Sequence, residues 1–214
     1  MTASGEALRL AARDLFQNSW RLVPLNALFG AVLVAVGIGA YAVRASAVLV
    51  VLAGPIAAAL AHAAVTVVRT GNLTLADGVA GLREHWRRGL VLGTLASGLL
   101  LLGVVAFRFY ARSTFAWPLA FVTLYLVLLL GVYLVVLWTL AVSEPERPLR
   151  AAARSAAELV ARRPGATAAL GLALLLVNPV GIAAAVLPFL TLTVAYSFVA
   201  VAHFALPRPL EEEL

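Results

Sequence analysis

Long apolar runs alternate with short polar stretches along the whole of this chain. The first run is Leu22 to Val43, between Arg21 and Arg44, and the second is Ala45 to Val68, ending at Arg69. The third is Gly89 to Phe107, between Arg88 and Arg108, and the fourth is Phe115 to Val142. A hydrocarbon layer about 30 Å thick is crossed by about 20 helical residues, so each run predicts a membrane span. The fourth is longer than needed and is expected to tilt or project. The stretch Ala166 to Leu206 holds 41 residues, enough for two spans. A turn at Asn178-Pro179 would leave only 13 residues before it, so the turn is placed near Leu187-Pro188, with Pro179 kinking the fifth helix. The six predicted spans are about 22–43, 45–68, 89–107, 115–142, 166–187 and 188–206.

Three polar stretches read as amphipathic helices leading into spans, at about 6–20, 74–88 and 148–163. In the first, Arg9, Arg13, Gln17 and Arg21 recur every four residues; in the third, Arg150, Arg154, Glu158 and Arg162 do so. The second places Leu75, Val79, Leu82 and Trp86 on one face. Four-residue spacing stacks side chains on one side of a helix. The second and third end in Arg pairs, Arg87-Arg88 and Arg162-Arg163. The pattern suggests a threefold repeat of an interfacial helix and a two-helix hairpin, with its axis along the membrane normal. The same pattern arises wherever inner loops gather arginines. The predicted fold is therefore all-α: a polytopic bundle of six membrane helices with two or three amphipathic interfacial helices on the cytoplasmic side, forming a single integral membrane domain.

Composition sharpens this picture. Hydrophobic residues are 63% and charged residues 12% of 214, with mean hydropathy +1.00, against roughly half and a quarter in a soluble domain. All ten carboxylates lie outside the apolar runs. Cysteine and lysine are absent, which excludes disulfides, thiolate chemistry and Schiff-base or P-loop lysines. Residues 1–21, with Glu6 and Asp14, do not read as a cleavable signal peptide. Thirteen of the sixteen arginines fall on the side of the chain start, the second and fourth loops and the chain end; only Arg44, Arg108 and Arg112 fall opposite. The excess of positive charge puts both termini in the cytoplasm, in the cytoplasmic (inner) membrane. Trp20, Trp86 and Phe204 are expected at the inner boundary, and Tyr41, Tyr110 and Trp117 at the outer one. Arg83, Arg87, Arg88, Arg150, Arg154, Arg162 and Arg163 are expected to meet anionic lipid headgroups, not nucleic acid.

Few polar groups fall within the spans. Asn26, His62, Thr66, Tyr196 and His203 all map to the cytoplasmic half, with Thr193 on the same helix as the last two. They could line a ligand-binding cavity open to the cytoplasm, or hydrogen-bond the helices together. His62 and His203, with no third ligand or carboxylate, make a poor metal site. Ser97 could be paired with His62 as a nucleophile, but serines in membrane helices mostly bond their own backbone. No cofactor or catalytic residue is assigned.

One stretch carries a resemblance. Gly54-Pro55-Ile56-Ala57-Ala58-Ala59-Leu60 sits in a membrane helix, followed by the turn Thr70-Gly71-Asn72 and a helix ending at Trp86-Arg87-Arg88. Trp20 and the Arg-rich segment Leu149 to Arg163 fit the same pattern. The sequence resembles the YesL-like family of small bacterial membrane proteins, whose function is unknown. The resemblance implies a place beside sugar-uptake transporters and carries no catalytic residues. The expectation is a non-enzymatic accessory or scaffold component of a transport system, with transporter subunits or further copies of itself as partners. The alternative is a small permease or channel.

Overall fold

The computed structural model describes residues 3–42, 44–183 and 192–206, with backbone only at 44–47, 179 and 181–183. Among these residues the secondary structure is all helix, joined by short turns. Helix α1 runs Ala3–Ala42, and a 3₁₀ segment Arg44–Leu52 leads into α2, Ala53–Thr70. Then come α3 (Leu75–Tyr110), α4 (Trp117–Ser143), α5 (Leu149–Arg162), α6 (Pro164–Ala183) and α7 (Val194–Ala205). Four stretches are long and apolar enough to cross a membrane: Ala3–Ala42, Val48–Thr70, Leu75–Tyr110 and Thr114–Ser143. A fifth is reached if the bent pair α5–α6 is counted as one. Large apolar side chains cover the outside: Leu101, Leu102, Phe109, Phe115, Phe121 and Tyr125 are all more than 60% exposed. Exposed apolar surface of this extent is what lipid covers.

Helix α2 is the centre of the bundle, packed against α1, α3, α4 and α7. Its alanines Ala57, Ala58, Ala59, Ala61, Ala63 and Ala64 are all buried. In lipid the hydrophobic effect does not draw helices together, so close approach over small residues has to supply the contact. The α2–α3 pair takes this furthest. The buried residues of α3 are Gly78, Gly81, His85, Gly89, Leu92, Gly93 and Ala96, one stripe of three- and four-residue steps. A methyl on Gly89 would lie 2.6 Å from Pro55 Cα, and one on Gly93 2.8 Å from Gly54 Cα. The two backbones are in contact, and nothing there is free to yield.

The turn between α2 and α3 is built to be tight. Gly71 closes α2 in the left-handed region at φ 71°, its N–H donating to Val67 O at 2.8 Å; glycine takes this conformation without penalty. Thr74 opens α3 with a reciprocal capping box to Asp77. Asn18 of α1, 2% exposed, grips the turn by accepting from Leu73 N at 3.2 Å and donating to Gly71 O at 3.5 Å.

Several expected boundaries move. The first two amphipathic stretches are not separate helices: 6–20 is the first half of α1, and 74–88 the first half of α3. At about 1.5 Å per residue, α1 and α3 are roughly 60 and 54 Å long, far more than one crossing needs. Only Leu149–Arg162 is set off from its successor, by a 100° bend at Arg163-Pro164. The residue before a proline is pushed out of helical geometry, and Pro164 itself suits the first turn of α6. The three amphipathic units thus do not share one geometry. Helix α6 continues through Asn178-Pro179, while the expected turn near Pro188 lies outside the described residues. Helix α7, at 12 residues, is shorter than a span. Phe204 is 6% exposed and belongs to the core instead of an interfacial belt, while Trp20 and Trp86 are exposed at 62% and 45%.

Candidate functional site

The five polar residues expected to share a cavity separate into two groups. The first joins α1 to α7. Asn26, fully buried, accepts from Ala195 N through Oδ1 at 2.6 Å. The Tyr196 hydroxyl donates to Leu8 O at 3.1 Å. His203 Nε2 lies 2.7 Å from Asp14 Oδ2, both side chains largely buried. Asp14, which lies in the first amphipathic stretch, thus forms part of a helix–helix contact. Thr193 is buried, and its carbonyl accepts from the Ser197 hydroxyl, which also takes a hydrogen bond from Asn178 Nδ2 at 3.0 Å.

The second group lies between α2 and α3. His62 Nδ1 is 3.2 Å from Nε2 of His85, which is 1% exposed. The Thr66 hydroxyl bonds back to His62 O at 3.0 Å, within α2. Glu84 Oε1 is 3.9 Å from His85 Nε2, and donor atoms of His62, Glu84 and His85 all lie within 4.8 Å of one another. Gly81 makes the room: a methyl there would come within 2.8–2.9 Å of His62 Cβ, Cγ and Cδ2. The sequence reading paired His62 with His203 and missed His85. The signal was present, since His85 is the one large polar residue in the glycine stripe of α3. Ser97 stands twelve residues beyond His85, roughly 18 Å along the helix at about 1.5 Å per residue, so it is no partner of this pair.

The arginines also divide. Arg83, Arg87, Arg150, Arg154, Arg162 and Arg163 are exposed, as expected of groups facing headgroups or solvent. Arg87 stacks on Trp86 at 5.2 Å, and Arg154 and Arg162 pair with Glu158. Arg88 is different, being partly buried and bonded to the protein. Its guanidinium donates to the carbonyls of Ala141 at 2.8 Å, Glu144 at 3.4 Å, Arg147 at 3.0 Å and Pro145. Arg69 adds a bond to Ser143 O at 3.2 Å. The last carbonyls of a helix lack intrahelical donors and carry partial negative charge. Two arginines from α2 and α3 therefore hold the end of α4 and the turn that follows it.

The cavity between α4 and α6 is apolar by comparison. Its volume is about 260 Å³, and it is lined by Tyr125, Leu128, Val132, Thr167 and Gly171 among others. Tyr196 alone of the five residues borders a further groove, beside Phe16 and Ser19. No protein-family profile, curated protein or solved structure matches this chain.

Proposed function

We propose that the protein is a non-enzymatic integral membrane protein of the cytoplasmic membrane, acting as an accessory or scaffold component of a transport system. One observation carries this reading. Four of the five polar side chains singled out in the apolar helices are engaged with other helices: Asn26 with Ala195, Tyr196 with Leu8, His203 with Asp14 and His62 with His85. Such pairings fix helices in place. The exposed arginines of α3 and α5 would then face anionic headgroups or a partner's acidic surface. Six crossings with cytoplasmic termini and kinship with the YesL-like family belong to the same proposal, supported by the arginine distribution and the Gly54-Pro55 segment.

The runner-up is a small permease or channel, and it rests on the Asp14–His203 pair. A carboxylate beside an imidazole between helices is the arrangement a proton-linked path would use. Reconstitution separates the two readings. An accessory protein gives no sugar or proton flux in liposomes and crosslinks in intact membranes to subunits of a transporter. Flux that is abolished by His203→Gln would establish the permease and end the accessory reading.

A further inference from the structure

The geometry points to a site for a divalent transition metal of the zinc class, made by His62, His85 and Glu84 across the α2–α3 contact. Two nitrogens bound to one tetrahedral zinc at about 2.0–2.1 Å lie roughly 3.4 Å apart. His62 Nδ1 and His85 Nε2 are 3.2 Å apart, on different helices. The third donor, a Glu84 oxygen, is 3.9 Å from His85 Nε2. The three donor atoms lie within 4.8 Å of one another, and the Glu84 side chain is about half exposed, so a rotation of that side chain closes the remaining gap of up to about 1.5 Å. Imidazole and carboxylate together are a donor set that zinc accepts, and three protein ligands leave the fourth position to water.

The surroundings hold the pair in place. Gly81 admits the His62 ring against the α3 backbone. His85 is buried, one turn from Gly81 and from Gly89 along the stripe that α3 turns to α2. The nearby Arg88, whose charge would oppose a cation, is committed to the carbonyls at the end of α4. A bare histidine–histidine hydrogen bond would use the same two nitrogens but gives Glu84 no part. The role of Glu84 therefore distinguishes the two arrangements. A bound ion would crosslink the two most closely packed helices of the bundle, and this does not depend on whether the protein serves a transporter.

The test uses the full chain in detergent, freed of any histidine tag and stripped with a chelator. Titration with Co²⁺ should give the visible absorption bands of low-coordinate cobalt at one equivalent, and Zn²⁺ should displace it. His62→Gln and His85→Gln should each weaken Zn²⁺ binding at least 100-fold. Glu84→Ala, which alters only an exposed side chain and so keeps the fold, should weaken it about tenfold or more, while His203→Gln should leave it unchanged. Absence of a one-equivalent site overturns the proposal. So does wild-type affinity in Glu84→Ala, or loss of binding in His203→Gln with retention in His62→Gln. Should the histidine variants fail to fold, Glu84→Ala alone decides.

Discussion

The α2–α3 contact and the α1–α7 contact solve the same problem by different means. Between α2 and α3, glycines bring the backbones together, and Gly54, Gly89 and Gly93 leave no space for a methyl group. Between α1 and α7, side chains hold the helices through discrete hydrogen bonds at Asn26, Tyr196 and His203. The difference follows from the solvent. Where lipid surrounds both helices, association rests on dispersion and interhelical hydrogen bonding. Glycine maximises the first and polar side chains supply the second. A backbone contact tolerates no added atom, whereas a hydrogen-bonded contact loses stability one bond at a time. The two should therefore fail differently.

The largest effect is expected in the glycine contact. Gly89→Leu drives a side chain into the Pro55 backbone and should abolish the folded, monodisperse protein in detergent. Gly89→Ala should already lower stability by about 1–3 kcal/mol, the usual cost of overpacking. Gly98 on the same helix has nothing within 4 Å of its would-be Cβ. Gly98→Ala should be neutral or stabilise by up to about 1 kcal/mol through helix propensity. Thermal unfolding of both variants checks the contrast, and equal sensitivity at the two positions would remove the basis for it.

Next in size is the clamp that extends the α2–α3 unit to α4. Arg88→Ala strips donors from carbonyls at the end of α4, and hydrogen bonds from charged groups are worth about 1.5–3 kcal/mol. A loss of that order is expected. Arg88→Lys should recover only part of it, because a point charge cannot replace the planar fork. Arg87→Ala, which removes an exposed side chain stacked on Trp86, should cost about 0.5–1 kcal/mol.

On the α1–α7 side, Asn26→Leu keeps the volume and removes the acceptor that meets Ala195 N. Leaving a buried N–H without that partner costs about 1–3 kcal/mol. The loss should appear as a lower midpoint in denaturant with the oligomeric state unchanged, the reverse of what Gly89→Leu does.

How far the sequence foretold these two contacts is set by what each is made of. Apolar length marked the first four spanning helices, because the thickness of the hydrocarbon layer alone decides it, but of the two spans expected in 166–206 the described residues give one bent pair and the 12-residue α7. The faces of those helices were harder to read. Leu75, Val79, Leu82 and Trp86 share one face of the second amphipathic stretch, yet Leu82 is only half-buried, the other three are exposed, and the glycine stripe points inward. In lipid, large apolar residues have no reason to seek the interior, so small size becomes the better guide to burial. Asn26, Tyr196 and His203 were singled out because polar atoms at membrane depth are conspicuous. Their partners Asp14, Ala195 and Leu8 were not, since two of the three bond through the backbone and the third sits in a charged stretch. His85 was missed for the same reason: it lies among arginines and acids, where a histidine attracts no notice.

The smallest expected effect tests whether the Asp14–His203 pair is a structural bond of the same kind as the others. The side chains are 2.7 Å apart and only 11–17% exposed. In a double-mutant cycle of Asp14→Ala and His203→Ala, each single variant removes one partner, and the cycle isolates their coupling. Interhelical hydrogen bonds measured this way in membrane proteins average about 0.6 kcal/mol and reach about 1.7 kcal/mol. A coupling in that range makes the pair an ordinary join between α1 and α7. A coupling near zero, with a double variant as stable as either single one, would mean that the two groups are held together by their helices and not the reverse. The pair would then cost little to separate and would be free to serve the permease reading. The glycine contact offers no such freedom, because its atoms cannot part without separating the helices themselves.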